Sequence, residues 1–347
     1  MGSTTRRLKK GEEVNVKTAS ILLAGTVLAA LVAVPSVAQD LPGKDLKIAV
    51  VLKTLANPYW AATQQGIEAK AKEIGAVVTV QAGTDESSID EQTNIVQAMV
   101  GQDYNCFIVA PISNSNLIQP LVTAAQKNIP IVAGDAFDEA ALQAAGVKLT
   151  TYVTVRHTDA GKAVAEDMVK RFDGSGKVAL IGGLAAHPAS IQRLEGFRSG
   201  AGGLEIVQEQ AADWDREKAL NAADAILRAH PDLKGFYAAN DGMALGVQQA
   251  VNNAGLTGKV LVFGTDAIDD ALNSIEAGQL TGTAAQFPFL MGGLEVEACL
   301  AASQGATVDP LTAAPQALIT SENVAAAKAS APQPFFEYES PIAKLIK

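Results

Sequence analysis

Ten polar or aromatic side chains stand at or just past short apolar runs of this sequence: Lys53, Asn57, Tyr59, Trp60, Asp135, Arg193, Trp214, Asn240, Asp266 and Gln286. As a set they offer two carboxylates, a guanidinium, an ammonium, three amides and three aromatic rings. A hydroxyl is one donor and two acceptors, so Asp accepts from it while Lys, Arg and Asn donate to it. Such bonds are charge-assisted without any charge on the ligand. Flat aromatic faces cover the C–H faces of a saturated ring. The mix suits an uncharged, polyhydroxylated small molecule. For Asp266 alone a helix N-cap is an equal alternative, and for Asp241 in Asn-Asp241-Gly the cap is the preferred reading. Of the adjacent pair Tyr59 and Trp60, about 100° apart on a helix, one is expected in the core and the other at the ligand.

Signals for catalysis are lacking. The three histidines, His157, His187 and His230, stand beside no Ser or Cys nucleophile motif, and neither Gly-x-Ser-x-Gly nor His-Glu-x-x-His occurs. Gly174-Ser-Gly-Lys177 lacks the remaining residues of a phosphate loop, and no Gly-x-Gly-x-x-Gly follows the first apolar run. No cofactor and no metal site are expected.

The residues are positioned by alternating strands and helices. Ile48–Leu52 is an unbroken apolar run, the pattern of a strand buried on both faces of a parallel sheet. Asn57-Pro58 then opens a helix from Tyr59 to about Ile74, where Gly75 stops it. The strand–helix rhythm repeats to Val155 and restarts after Arg156. An α/β chain of this kind builds two Rossmann-like lobes with parallel sheets joined by a hinge. Ligands bind such sheets at the carboxyl ends of the strands, so the ten residues converge on the crevice. The expected division is residues 44–155 plus about 287–316 for the N-terminal lobe and 156–286 plus about 317–323 for the C-terminal lobe. Residues 324–347 form a tail packed on a lobe or irregular.

The chain has 347 residues and a net charge of −10. An acidic chain without an internal basic cluster argues against nucleic acid as partner. Residues 1–38 combine a basic n-region, an apolar run from Ala19 to Val34 and Ser36-Val37-Ala38. They are expected to be a secretory signal peptide cleaved after Ala38, which leaves 22 Lys+Arg against 35 Asp+Glu, a net of −13. Cys106 and Cys299 are the two cysteines. An oxidising compartment permits a pair, but buried free thiols are the preferred reading.

Asn57-Pro58-Tyr59-Trp60, Arg193-Leu-Glu-Gly-Phe197, Ala212-Asp-Trp-Asp-Arg216, Ala239-Asn-Asp-Gly-Met-Ala-Leu-Gly246 and Val262-Phe-Gly-Thr-Asp266 carry a resemblance. The chain resembles the ribose/galactose/allose group of periplasmic sugar-binding proteins of ABC importers, and its Val51–Trp60 segment with Lys53 is most similar to the D-allose-binding branch. It departs at Ala136 and at Arg156-His157, where the group usually has Asp-Asn. The resemblance implies the type I periplasmic binding protein fold and periplasmic localisation. It implies a monomeric binding protein rather than an enzyme, which delivers an uncharged aldohexose or pentose to ABC permease subunits. It also implies sugar contacts by Asn57, Tyr59, Trp60, Arg193, Trp214, Asn240, Asp266 and Gln286. The alternatives are a polyol or furanosyl-signal binding protein, an exported sugar-acting enzyme, and a repressor-type effector domain.

Overall fold

Ile48, Ala49, Val50 and Val51 have no exposed surface, as a strand covered by helices on both faces requires. They belong to β1 (Lys47–Thr54), whose neighbours are β2 (Val77–Gly83) on one side and β3 (Cys106–Val109) on the other, all parallel. A computed structural model describes Gly2 and residues 41–347 of the chain. The expected signal peptide lies outside the described residues.

The first lobe continues through β4 (Ile131–Ala133) and β5 (Thr151–Thr154), with α1 (Pro58–Ile74), α2 (Ile89–Met99), α3 (Ile118–Gln126) and α4 (Glu139–Ala145) between strands. The second lobe repeats the plan with β6 (Gly176–Gly182), β7 (Leu204–Ala211), β8 (Leu233–Ala238), β9 (Leu261–Asp266) and β10 (Gly282–Ala285). Its helices are α5 (His157–Arg171), α6 (Pro188–Gly200), α7 (Arg216–Ala229), α8 (Asp241–Asn253) and α9 (Asp269–Glu276). The chain then returns through α10 (Pro288–Ser303) and β11 (Leu311–Ala313) to the first lobe, and crosses once more to β12 (Ala317–Thr320). The strand orders are β11-β5-β4-β3-β1-β2 and β12-β10-β9-β8-β6-β7. All described pairings are parallel except β12 with β10. In each sheet the order reverses at one strand, β1 or β6, and that reversal opens a crevice at the strands' carboxyl ends.

Two tight helix contacts fix the crevice walls. A Cβ at Gly66 on α1 would lie 1.9 Å from the Phe289 carbonyl of α10, and one at Gly161 on α5 would lie 1.9 Å from the Arg193 carbonyl of α6. Only glycine allows these backbones to approach so closely. The helix α10 was not expected from the pattern of the sequence. It is buried along nearly its whole length, so it carries no amphipathic stripe to read.

The cysteines correct an expectation. Cys106 opens β3, Cys299 lies on α10, and the two form a disulfide across 193 residues of sequence. The return of α10 onto the first sheet brings together two residues that sequence distance keeps apart. The tail is also more than a covering of one lobe. After α11 (Val324–Ser330), Phe335 packs on the second lobe's core, while Ile342 is buried in the core of the first.

Candidate functional site: the interlobe cleft

The cleft begins with a cation held by geometry. Lys53 is the next-to-last residue of β1 and is 3% exposed. Its Nζ lies 2.6 Å from Asp135 Oδ2, just past β4. Burial opposes the charge of Asp135, but the Lys53 ammonium beside it holds this carboxyl well below the usual range. Lys53 also lies 5.4 Å from the Trp60 ring, within cation–π distance.

Asn57 is the N-cap of α1: its Oδ1 accepts from the Tyr59 N–H at 3.0 Å, with Pro58 in the first helical turn. The Asn57 amide donates to Glu86 Oε1 at 2.7 Å, and Trp60 Nε1 donates to the same oxygen at 3.2 Å. Tyr59 and Trp60 meet edge to face at 4.8 Å. Both line the cleft, so the division of one in the core and one at the ligand does not hold. Wall and core coincide here, because the Tyr59 hydroxyl turns back to donate to Met291 Sδ at 3.5 Å.

From the second lobe, Arg193 projects off α6. Its Nη1 donates to the Ala239 carbonyl at 2.6 Å and stands 3.7 Å from Asp266 Oδ1. Its guanidinium lies 5.7 Å from the Trp214 ring. Trp214 and Asp213 have left-handed backbone, φ +63° and +53°, and Asp266 has φ +130°. Non-glycine residues held there are strained, and such strain gathers at functional sites.

Asn240 caps α8, its Oδ1 accepting from the Met243 N–H at 2.9 Å. The preferred reading of Asp241 as a cap is therefore corrected. Its side chain is wholly buried, accepts from Thr283 Oγ1 at 2.6 Å and from the Ile268 N–H at 3.0 Å, and so ties three elements together. Asp266 is no cap either, since Ile268 holds that position for α9.

Nine of the ten residues expected at the site line one cleft: Lys53, Asn57, Tyr59, Trp60, Asp135, Arg193, Trp214, Asn240 and Asp266. Gln286 stands behind them. It is wholly buried and donates through Nε2 to Asp266 Oδ1, so it orients the carboxyl instead of lining the wall. The parallel register places Ala285 opposite Asp266, which puts Gln286 one step beyond the strand end. Glu86, Tyr152, Thr154, His187 and Met291 also line the walls and were not singled out from the sequence, and His157, noted there only as a departure from the resembled family, joins them. For His187 a signal existed. His187-Pro188 follows β6 and opens α6 just as Asn57-Pro58 follows β1 and opens α1. The space between the walls is about 470 Å³, open solvent at the mouth included.

The cleft carries no surplus positive charge. Burial pushes Asp266 up to about 8 and Asp241 to about 6, with Arg193 working against both shifts. Two neighbouring carboxyls share what one guanidinium can support, so near neutral pH the pair carries one negative charge opposite Arg193. His157 is kept neutral, pushed down to about 3 by burial and then by Arg193. Behind the wall, Glu295 of α10 is raised to about 8 by burial alone. It has room there because Gly134 lacks a Cβ, which would sit 2.5 Å from Glu295 Oε1. Several buried polar atoms have no partner in the protein: His187 Nδ1, Trp214 Nε1 and Gln286 Oε1. Buried polar groups are normally paired, so these atoms call for an added hydrogen-bonding molecule.

A family model described as a periplasmic binding protein domain matches residues 48–307. The chain belongs to the periplasmic binding protein family. Among relatives of this periplasmic binding protein, the D-allose-binding periplasmic protein of Escherichia coli (strain K12) is 38% identical over 77% of this chain and 88% of its own length. The ribose import binding protein of Bacillus subtilis (strain 168) is 32% identical over 80% of this chain and 88% of its own. Among solved structures, an ABC transporter periplasmic solute-binding protein from Actinobacillus succinogenes 130z with bound D-allose superposes with a TM-score of 0.78 at 31% identity. It covers 81% of this chain and 99% of that one. Its fold is thus that of the type I periplasmic binding proteins.

Proposed function

We propose that this protein is the periplasmic solute-binding component of an ABC-type sugar importer. It closes on one uncharged monosaccharide, a D-allose-like aldohexose, in the interlobe cleft. It then delivers the sugar unchanged, as a monomer, to the membrane permease. The observation that carries the ligand class is the lack of any surplus positive charge in the cleft. Lys53 is matched by Asp135 at 2.6 Å and Arg193 by the Asp241–Asp266 pair, and Glu86 adds a further acidic side chain to the lining. A phosphate or sugar acid would bring uncompensated charge into that space, at high desolvation cost. A neutral sugar instead supplies hydroxyls to the unpaired His187 Nδ1 and Trp214 Nε1, while Trp60 covers a ring face. The relatives that bind D-allose or ribose support the same class.

A thermal-shift screen across aldohexoses, pentoses, polyols, signalling furanoses and sugar phosphates tests the proposal, because a ligand of the folded state alone raises the Tm. The Tm should rise with a neutral aldohexose, and recovery of that sugar unaltered after long incubation checks that binding involves no reaction. A rise with sugar phosphates alone rejects the proposal.

A further inference from the structure

We propose that His187 is the latch of the closed cleft: it joins the second lobe to the Lys53–Asp135 pair of the first, and offers its free ring N–H to the ligand. This rests on the sugar-binding reading above. His187 lies between β6 and α6 with extended backbone (φ −79°, ψ 124°), and Pro188 follows in the first helical turn. Its Nε2 crosses the cleft to within 2.9 Å of Lys53 Nζ and 3.5 Å of Asp135 Oδ2. An ammonium has no lone pair, so Nε2 must accept and the imidazole proton sits on Nδ1. The ring stands edge to face on Trp214 at 5.6 Å. Its direction is thus fixed by the helix start, the indole and the Lys53 ammonium together.

Two consequences follow from this one ring. First, Nδ1–H is buried without a partner, the arrangement expected of a donor that a ligand oxygen completes. Second, the contact with Lys53 exists only while the lobes are together, because the two partners belong to different lobes. Ligand and closure are therefore coupled through the two nitrogens of His187.

The test is stopped-flow release of D-allose, followed by tryptophan emission, in wild type, His187→Phe and His187→Gln. The Phe variant keeps an aromatic ring without either nitrogen, and the Gln variant keeps an acceptor for Lys53 and a donor for the sugar. His187→Ala serves where His187→Phe fails to fold. Release should be about tenfold faster in His187→Phe, the scale of one lost hydrogen bond to a charged group, and close to wild type in His187→Gln. Equal release rates in wild type and His187→Phe overturn the latch. Should the wild type bind no neutral sugar or polyol, the functional reading fails. The latch is then decided by X-ray scattering of the ligand-free proteins: a more open His187→Phe upholds it, and identical profiles reject it.

Discussion

Arg193 and Asp266 face each other at 3.7 Å, both nearly inaccessible to solvent, with Arg193 Nη1 anchored at 2.6 Å on the Ala239 carbonyl. The guanidinium is therefore placed by the fold and not by the carboxyl, which leaves both groups available to a third molecule. Arg193→Ala or Asp266→Ala should each weaken sugar binding by ~1.5–3 kcal/mol, the scale of a hydrogen bond to a charged group. Calorimetric titration measures the loss. An equal drop in the ligand-free protein's stability would assign the pair to folding instead.

Cys106 and Cys299 clip α10 to β3, and α10 carries Met291 of the cleft wall and the buried Glu295. Closing a loop of 193 residues stabilises by at most about 5 kcal/mol on the chain-entropy model. Denaturant midpoints with and without a reductant should therefore differ clearly. Thiol titration of the unfolded, unreduced protein should find no free thiol. Two titratable thiols there would restore the original reading of unpaired cysteines.

Glu295 gives a pH dependence of defined sign. Its folded pKa is raised to about 8 by burial, whereas the unfolded carboxyl ionises near 4.3. Between those values the folded state holds a proton that the unfolded state has lost, so stability falls as pH rises from about 4.3 through 8 and is level above. Asp266, also raised to about 8 by burial, acts in the same direction. Glu295→Gln mimics the protonated side chain and removes the first contribution. Its Tm should exceed wild type by at least about 2 °C at pH 8.5, a gain of order 1 kcal/mol, and the gap should close by pH 5. A gap of the same size at both pH values would show that Glu295 is not protonated by burial.

The lobes were legible because their strands are apolar runs with clear stops. Ile48–Leu52 and Gly75, left-handed at φ +81°, are examples. The site was legible where a strand end delivers a residue directly, as with Lys53, Asp135 and Asp266. It was hidden where tertiary contact decides. Gln286 has the right address but spends its amide on Asp266. Asn240 takes the cap that its neighbour Asp241 was expected to hold. The disulfide and Glu295 depend on α10, whose even burial erases the helical stripe. Glu86 comes from a loop whose position only the folded sheets define.

The central claim, that this cleft takes a neutral sugar, is tested most directly by its own fluorophores. Trp60 and Trp214 are the two tryptophans of the sequence, and they line the cleft from opposite lobes. Titration of intrinsic emission with D-allose and, separately, with D-allose 6-phosphate should give a saturable change for the neutral sugar and none for the phosphate. Saturation by the phosphate, with no response to D-allose or to any other neutral sugar or polyol, would contradict the account.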